Sequence, residues 1–245
     1  MNQRNPQLID VIPAHAGIQK RFDLLIFDWD GTLMDSAGQI VASFQIAIEL
    51  LKLPARRNEQ ISELIGLGLT EAFSRLYPEL DDSARLDVIK LYGQHYRNLP
   101  SAHTPLFAGI PDTLARLQAQ GYQLAIATGK SRAGLNRALQ QTGLSAYFCA
   151  SRCADEAASK PDPRMLEELL LHTATEPDRA LMIGDTEYDM TMARAAGIAA
   201  LGVACGVHDK TRLLGAGAIA VVADAVQVPQ WLADRDRNLG ASDHA

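Results

Sequence analysis

Four apolar residues, Leu24 to Phe27, run directly into the turn Asp28-Trp29-Asp30-Gly31-Thr32-Leu33. An unbroken apolar run of that length, closed by turn residues, predicts a short strand buried on both faces. Such a strand belongs inside a sheet covered by helices on both sides. At its C-terminal end stand two carboxylates, two residues apart. Placed there, they repel each other and lose hydration, and a metal cation or a reaction that uses them is the usual compensation. A plain surface turn is the alternative, because Asp and Gly are common turn residues.

The rest of the chain supplies partners for that strand. Gln123 to Thr128 reads as a second buried strand ending in Thr128-Gly129, and Ala180 to Gly184 as a third apolar run ending in Asp185. Pro111–Gln120, Ser131–Gln141, Met165–Leu171 and a segment closing at Ala196 read as helices between strands. Ser131 is the expected N-cap of its helix, and Asp162-Pro163 the expected start of the third. Tyr147–Ala150, Ala199–Ala204 and Ala218–Val222 read as further short strands. Strands alternating with helices predict an α/β fold, a three-layer, Rossmann-like parallel sheet with helices on both faces. Ligands of such sheets bind beyond the carboxyl ends of the strands, so Asp28, Thr128 and Asp185 are expected in one crevice.

Residues 39–103 carry helical periodicity instead. Ile40, Val41, Phe44, Ile48 and Leu51 recur at helix spacing, as do Leu86, Ile89 and Tyr92, and no strand pattern intervenes. The expected organisation is a core over 21–36 and 106–232, interrupted by a small all-helical domain over 37–105. Residues 1–20 read as a loosely ordered extension and 233–245 as a polar tail.

Composition narrows the classes. A formal charge of −6 offers no footprint for nucleic acid or an anionic membrane surface. No apolar stretch approaches the length of a membrane-crossing helix, and Asp10, Pro13 and His15 interrupt what would have to be a signal sequence. Three cysteines, Cys149, Cys153 and Cys205, form no disulfide framework or zinc spacing and are read as small buried hydrophobes in a cytoplasmic protein. The six histidines show no ligand spacing.

Asp28-Trp29-Asp30-Gly31-Thr32-Leu33-Met34-Asp35-Ser36 resembles the first motif of the haloacid dehalogenase-like superfamily. The segments at Thr128-Gly129, Lys160-Pro161 and Gly184-Asp185 resemble its other three, in order. The helical insert is similar to the cap of the phosphoglycolate phosphatase-like branch. The resemblance implies a phosphatase in which Asp28 attacks phosphorus and Asp30 moves protons. Thr128 and Gly129 would bind phosphoryl oxygens, with Lys160 offsetting their charge. It also implies that Asp28, the backbone carbonyl of Asp30 and Asp185 bind a metal ion, with Asp189 behind them or paired with Lys160. Hard carboxylate ligands without nearby His or Cys select Mg2+. Family members often carry Asn where Gly129 stands, so a side-chain donor is missing there. An Asp at position 30 favours hydrolysis over retention of the phosphoryl group.

The expected substrate is a small phosphorylated metabolite such as 2-phosphoglycolate, acted on by a monomer or homodimer. A nucleotidase, a sugar phosphatase and a phosphosugar mutase are alternatives within the superfamily. A non-catalytic phospho-acceptor or binding protein is the alternative outside enzyme chemistry. Gly66-Leu67-Gly68 resembles a loop where caps approach the active site. Arg75, Tyr77, Tyr96 and Arg97 could read a carboxylate or ribose, although a surface role fits each of them better.

Overall fold

The computed structural model describes residues 20–98 and 105–242. The extension expected over 1–20 lies outside that range, save for Lys20. Six strands form one wholly parallel sheet: β1 (Leu24–Phe27), β2 (Gln123–Thr128), β3 (Ala150–Cys153), β4 (Ala180–Gly184), β5 (Ala199–Val203) and β6 (Ala220–Val222). Their order across the sheet is β3-β2-β1-β4-β5-β6. The direction of winding reverses between β1 and β4, which makes their carboxyl ends the switch point where ligands of such sheets bind. Asp28 follows β1 and Asp185 follows β4 at that point.

The burial of β1 on both faces follows from its residues. Leu25 and Phe27 face one core with Leu124, Ile126, Leu181 and Ile183. Leu24 and Ile26 face a second core with Met165, Leu169, Met182 and Met190. Each of these fully buried side chains contributes ~1.5–3 kcal/mol relative to exposure. The helices covering the sheet are α5 (Ile110–Ala119), α6 (Arg132–Thr142), α7 (Arg164–Thr173), α8 (Glu187–Ala195), α9 (Lys210–Ala216) and α10 (Val228–Ser242). Ser131 caps α6 as its sequence implies, its hydroxyl accepting from Gly134 N at 3.2 Å. The N-cap of α7 is Pro163 rather than Asp162, because the helix begins only at Arg164, whose N donates to the Asp162 carboxylate at 3.0 Å.

Among the described residues between β1 and α5 the named elements are all helices: α1 (Ala37–Leu50), α2 (Asn58–Ser62), α3 (Leu69–Leu76) and α4 (Asp82–Asn98). They share a third core centred on stacked Phe44 and Phe73, whose ring centroids lie 4.4 Å apart, with Tyr92 set edge-on to both. The chain leaves and re-enters the sheet domain through a pair of antiparallel segments. Asp35 N donates to Pro105 O at 2.9 Å and Phe107 N to Leu33 O at 3.1 Å.

Four local expectations differ from the structure. The strand expected over Tyr147–Ala150 lies later, at Ala150–Cys153, because the chain leaving Gly143 tightens into a 3-10 turn over Leu144–Tyr147 before it reaches the sheet. Leu86 does not join the apolar face of α4. It is exposed, and Val88 takes the buried position beside Tyr92. Of the three cysteines only Cys153 is fully buried, and Cys149 is exposed at the sheet edge. The polar segment from 233 continues α10 as far as Ser242. No described helix is long and apolar enough to cross a membrane.

Candidate active site

Asp28, Asp185 and Asp189 converge at the switch point, where one carboxylate oxygen from each lies within 4.8 Å of those of the other two. All three are buried. Burial pushes the Asp28 carboxyl well above the ordinary carboxylate range; Lys160 pulls it back, and Asp189 and Asp185 push it up further. Burial also raises Asp185, with Asp189 adding to the effect, to about 7.

One cation serves this group. Lys160 Nζ lies 2.9 Å from Asp28 Oδ1 and 2.7 Å from Asp189 Oδ1, wholly buried between them. Burial alone would disfavour its charge, but Asp189 and Asp28 override that and hold the ammonium protonated. Asp189 is further tied by Thr186, whose backbone N and hydroxyl donate to Oδ2 at 3.1 and 2.7 Å. Both oxygens of Asp189 are therefore committed. Asp28 Oδ2, by contrast, is buried without any hydrogen-bond partner, while its Oδ1 accepts from Trp29 N at 2.6 Å. An orphaned buried oxygen on an acidic group is costly unless a ligand or reacting atom meets it.

Asp185 is held from two sides. Thr32 Oγ1 donates to its Oδ1 at 2.8 Å and Val207 N to its Oδ2 at 2.9 Å. The surrounding backbone is packed so closely that a Cβ on Gly31 would lie 2.2 Å, and one on Gly206 2.0 Å, from Asp185 Oδ2. Gly31 also has φ +79°, a left-handed conformation that favours glycine.

These donors fit a divalent cation. Three carboxylates against one ammonium leave two negative charges uncompensated, and the donors are all hard oxygens without His or Cys. Asp189 is spent on the Lys160 ammonium and on Thr186. Asp185 accepts only from neutral donors, so with Asp28 it is better placed than Asp189 to hold the ion.

Asp30 stands apart from that trio. Its Oδ1 accepts from Ser36 Oγ and pairs with Lys130 Nζ at 2.9 Å. Burial would lower the Lys130 pKa, but the Asp30 carboxylate beside it outweighs this and raises it. Lys130 Nζ also donates to Tyr96 OH at 3.4 Å. The sequence reading passed over Lys130 and Ser36, although one adjoins Gly129 and the other closes the first motif.

Thr128 is buried at the end of β2, its Oγ1 accepting from Lys130 N at 3.2 Å. Gly129 faces the insert. A Cβ there would lie 2.5 Å from Gly66 O and 2.6 Å from Leu67 O. Gly68 N donates to Ser159 Oγ at 2.8 Å, beside Lys160. The Gly66-Leu67-Gly68 loop thus sits directly against both phosphate-side segments, and the absence of a side chain at 129 is what lets it. The Asn common at this position in the family would not fit.

On the far side of the crevice the insert is tied down at Glu63. Tyr188 OH donates to its backbone carbonyl at 2.8 Å, and Arg212 bridges its carboxylate and that of Glu187 at 2.6 and 2.7 Å. His208, to which the sequence reading assigned nothing, is buried there with Nδ1 accepting from Glu187 N at 2.9 Å. Burial lowers its pKa, so it stays neutral. Between insert and sheet domain lies a cavity of about 290 Å³ that reaches Asp28 and Asp30. Tyr96 and Arg97 line it. Arg75 and Tyr77 do not: Arg75 pairs with Glu71 at 2.7 Å and the Tyr77 hydroxyl donates to Pro54 O.

Comparison with known proteins agrees with this fold. Residues 25–203 match the family model of the haloacid dehalogenase-like hydrolases. A probable phosphatase IndB of Dickeya dadantii is 36% identical over 197 residues, covering 79% of this chain and 86% of the relative. A phosphoglycolate phosphatase of Mesorhizobium japonicum is 32% identical over 193 residues, covering 76% and 85%. The crystal structure of a hydrolase from Pseudomonas syringae superposes with a TM-score of 0.80 at 25% identity, covering 88% of this chain and 99% of that one. The chain belongs to the haloacid dehalogenase-like hydrolases, among the phosphatases of that family.

Proposed function

We propose that this protein is a magnesium-dependent phosphomonoesterase that works through an aspartyl-phosphate on Asp28. The observation that carries the reading is the orphaned Asp28 Oδ2, held buried beside Lys160 at the end of β1. An oxygen kept free of hydrogen bonds by a rigid strand end is positioned to form a bond to phosphorus. Asp28, Asp185 and the backbone carbonyl of Asp30 would hold Mg2+, which when bound supplies charge compensation to the phosphoryl oxygens and lets Asp28 stay ionised.

In the first step an Asp28 Oδ2 electron pair forms the O–P bond while the bond from phosphorus to the leaving oxygen breaks. Asp30, which must enter this step as the neutral acid, gives its proton to the leaving oxygen. In the second step Asp30 accepts a proton from water, the water oxygen bonds to phosphorus and the Asp28–phosphorus bond breaks. Asp28 is thereby regenerated and inorganic phosphate released. Lys160 offsets charge on the phosphoryl group and is itself fixed by Asp189. The Thr128 hydroxyl and Gly129 N–H bind phosphoryl oxygens. The helical insert acts as a cap that covers the crevice and excludes bulk water.

The substrate is a small phosphorylated metabolite, and the relatives' names make 2-phosphoglycolate the first to try. The test is phosphate release from p-nitrophenyl phosphate with and without Mg2+. Wild type should be active only with the ion, and Asp28→Asn should be inactive under all conditions. Turnover surviving in Asp28→Asn would overturn the assignment of the nucleophile.

A further inference from the structure

The cavity beyond Asp28 and Asp30 carries information about the leaving group. The wall supplied by the insert is apolar apart from the exposed Arg97 of α4: Phe44 comes from α1, Leu64 from the loop before Gly66, Leu69 from α3 and Tyr92 from α4. Two of these walls are aromatic and mutually braced, with Phe44 edge-on to Tyr92 at 5.0 Å. Tyr92 in turn stacks on Tyr96 at 5.7 Å. Ring faces and edges arranged in this way suit a flat or compact apolar group.

The cations tell the same story from the other side. Lys130 is the half-buried cation on the cavity wall, and the Asp30 carboxylate already takes its charge at 2.9 Å. Arg97 and Arg137 also line the cavity but are exposed, at its rim. A carboxylate one methylene from the scissile oxygen would have to sit near Asp30, against apolar walls, and an anion desolvated without its own cation is strongly disfavoured. An apolar cavity of about 150 Å³ holds a benzene ring, so about 290 Å³ has room for a single ring beside the phosphoryl group.

Resting on the phosphomonoesterase reading above, we infer that the preferred substrates are phosphate monoesters of alcohols bearing a compact aromatic or apolar body, rather than short esters whose alcohol carries its own carboxylate, such as 2-phosphoglycolate. The body lies against Phe44, Leu64, Leu69 and Tyr92, and the ester oxygen faces Asp30. The chemistry at phosphorus is unchanged; what the cap selects is the alcohol.

The experiment compares phosphate release from benzyl phosphate and 2-phosphoglycolate, both esters of a primary alcohol, by wild type and Leu64→Lys with Mg2+ present. Leu64 is half-buried on the cavity wall, so a lysine there can bring a cation into the cavity without opening the insert's core. Wild-type kcat/KM for benzyl phosphate should exceed that for 2-phosphoglycolate by about tenfold or more, the discrimination an apolar pocket gives for an apolar group. Leu64→Lys should narrow or invert that ratio, and Leu64→Met should keep it. Equal or better turnover of 2-phosphoglycolate by wild type overturns the inference, as does a ratio unmoved in a Leu64→Lys protein that melts like wild type. Should Leu64→Lys fail to fold, the wild-type ratio decides alone. Failure to release phosphate from any ester, p-nitrophenyl phosphate included, would instead overturn the phosphatase reading itself.

Discussion

Replacing Gly129 by alanine tests how tightly the insert must seat on the sheet domain for chemistry to occur. The added Cβ would lie 2.5 Å from Gly66 O and 2.6 Å from Leu67 O, where ordinary contact begins near 3.4 Å. Both obstacles are backbone atoms, so no side-chain rotation relieves them, and the loop must withdraw by about 0.9 Å. Gly129 is not in a left-handed conformation, so backbone strain does not confuse the comparison. Overpacking of this kind costs ~1–3 kcal/mol. At ~2–4 °C of melting temperature per kcal/mol for a chain of this size, the variant should melt a few degrees early. The catalytic effect should be larger, because a displacement near 1 Å of a positioning element can lower turnover about a hundredfold. The assay is kcat/KM for p-nitrophenyl phosphate beside a thermal melt. A variant with wild-type kcat/KM and an unchanged melt would refute the close seating of Gly66 and Leu67 on Gly129.

Three further outcomes follow from the buried charges. Lys160→Met leaves the Asp28 and Asp189 carboxylates buried without their cation, and urea unfolding should register a loss of ~3–5 kcal/mol together with loss of turnover. Asp185, raised to about 7 from an ordinary 3.8, is stabilising while protonated. That contribution is complete below pH 3.8 and disappears as pH rises through about 7, so metal-free protein should lose stability across that window. Added Mg2+ should restore stability most strongly at the upper end of the window, where the carboxylate is free to bind it; thermal melts in chelator and in Mg2+ would check both. Lys130→Met should lower kcat tenfold or more for alkyl phosphates, because it frees Asp30 from its fixed position. The effect on p-nitrophenyl phosphate should be smaller, since its leaving group scarcely needs a proton.

The parts of this site that were legible in the sequence are those fixed by one segment at a time. An apolar run ending in Asp marks the end of a buried strand, which places Asp28 and Asp185 together at the carboxyl end of the sheet. Lys160 was reachable through its motif. What could not be read are contacts between segments far apart in the chain. Lys130 reaches Asp30 across a hundred positions, and nothing near either residue encodes the pairing. The glycine at 129 read as a missing donor until Gly66 O was found where its side chain would stand. The late start of β3 was hidden for a similar reason: edge strands are only half-buried, so their apolar signal is weak.

The antiparallel junction at Leu33–Asp35 and Pro105–Phe107 bears on how the chain reaches this structure. β1 and β2 are hydrogen-bonded neighbours, yet residues 28–122 separate them in sequence. With the insert unfolded, pairing them means closing that whole loop. Once the insert has folded and brought its two ends together, the loop that remains is only the short stretches flanking the junction. The saving in closure entropy is about 1 kcal/mol. Folding of the helical insert before the sheet closes is thus the cheaper order, and the residue run that opened the chain's first strand completes its pairing late.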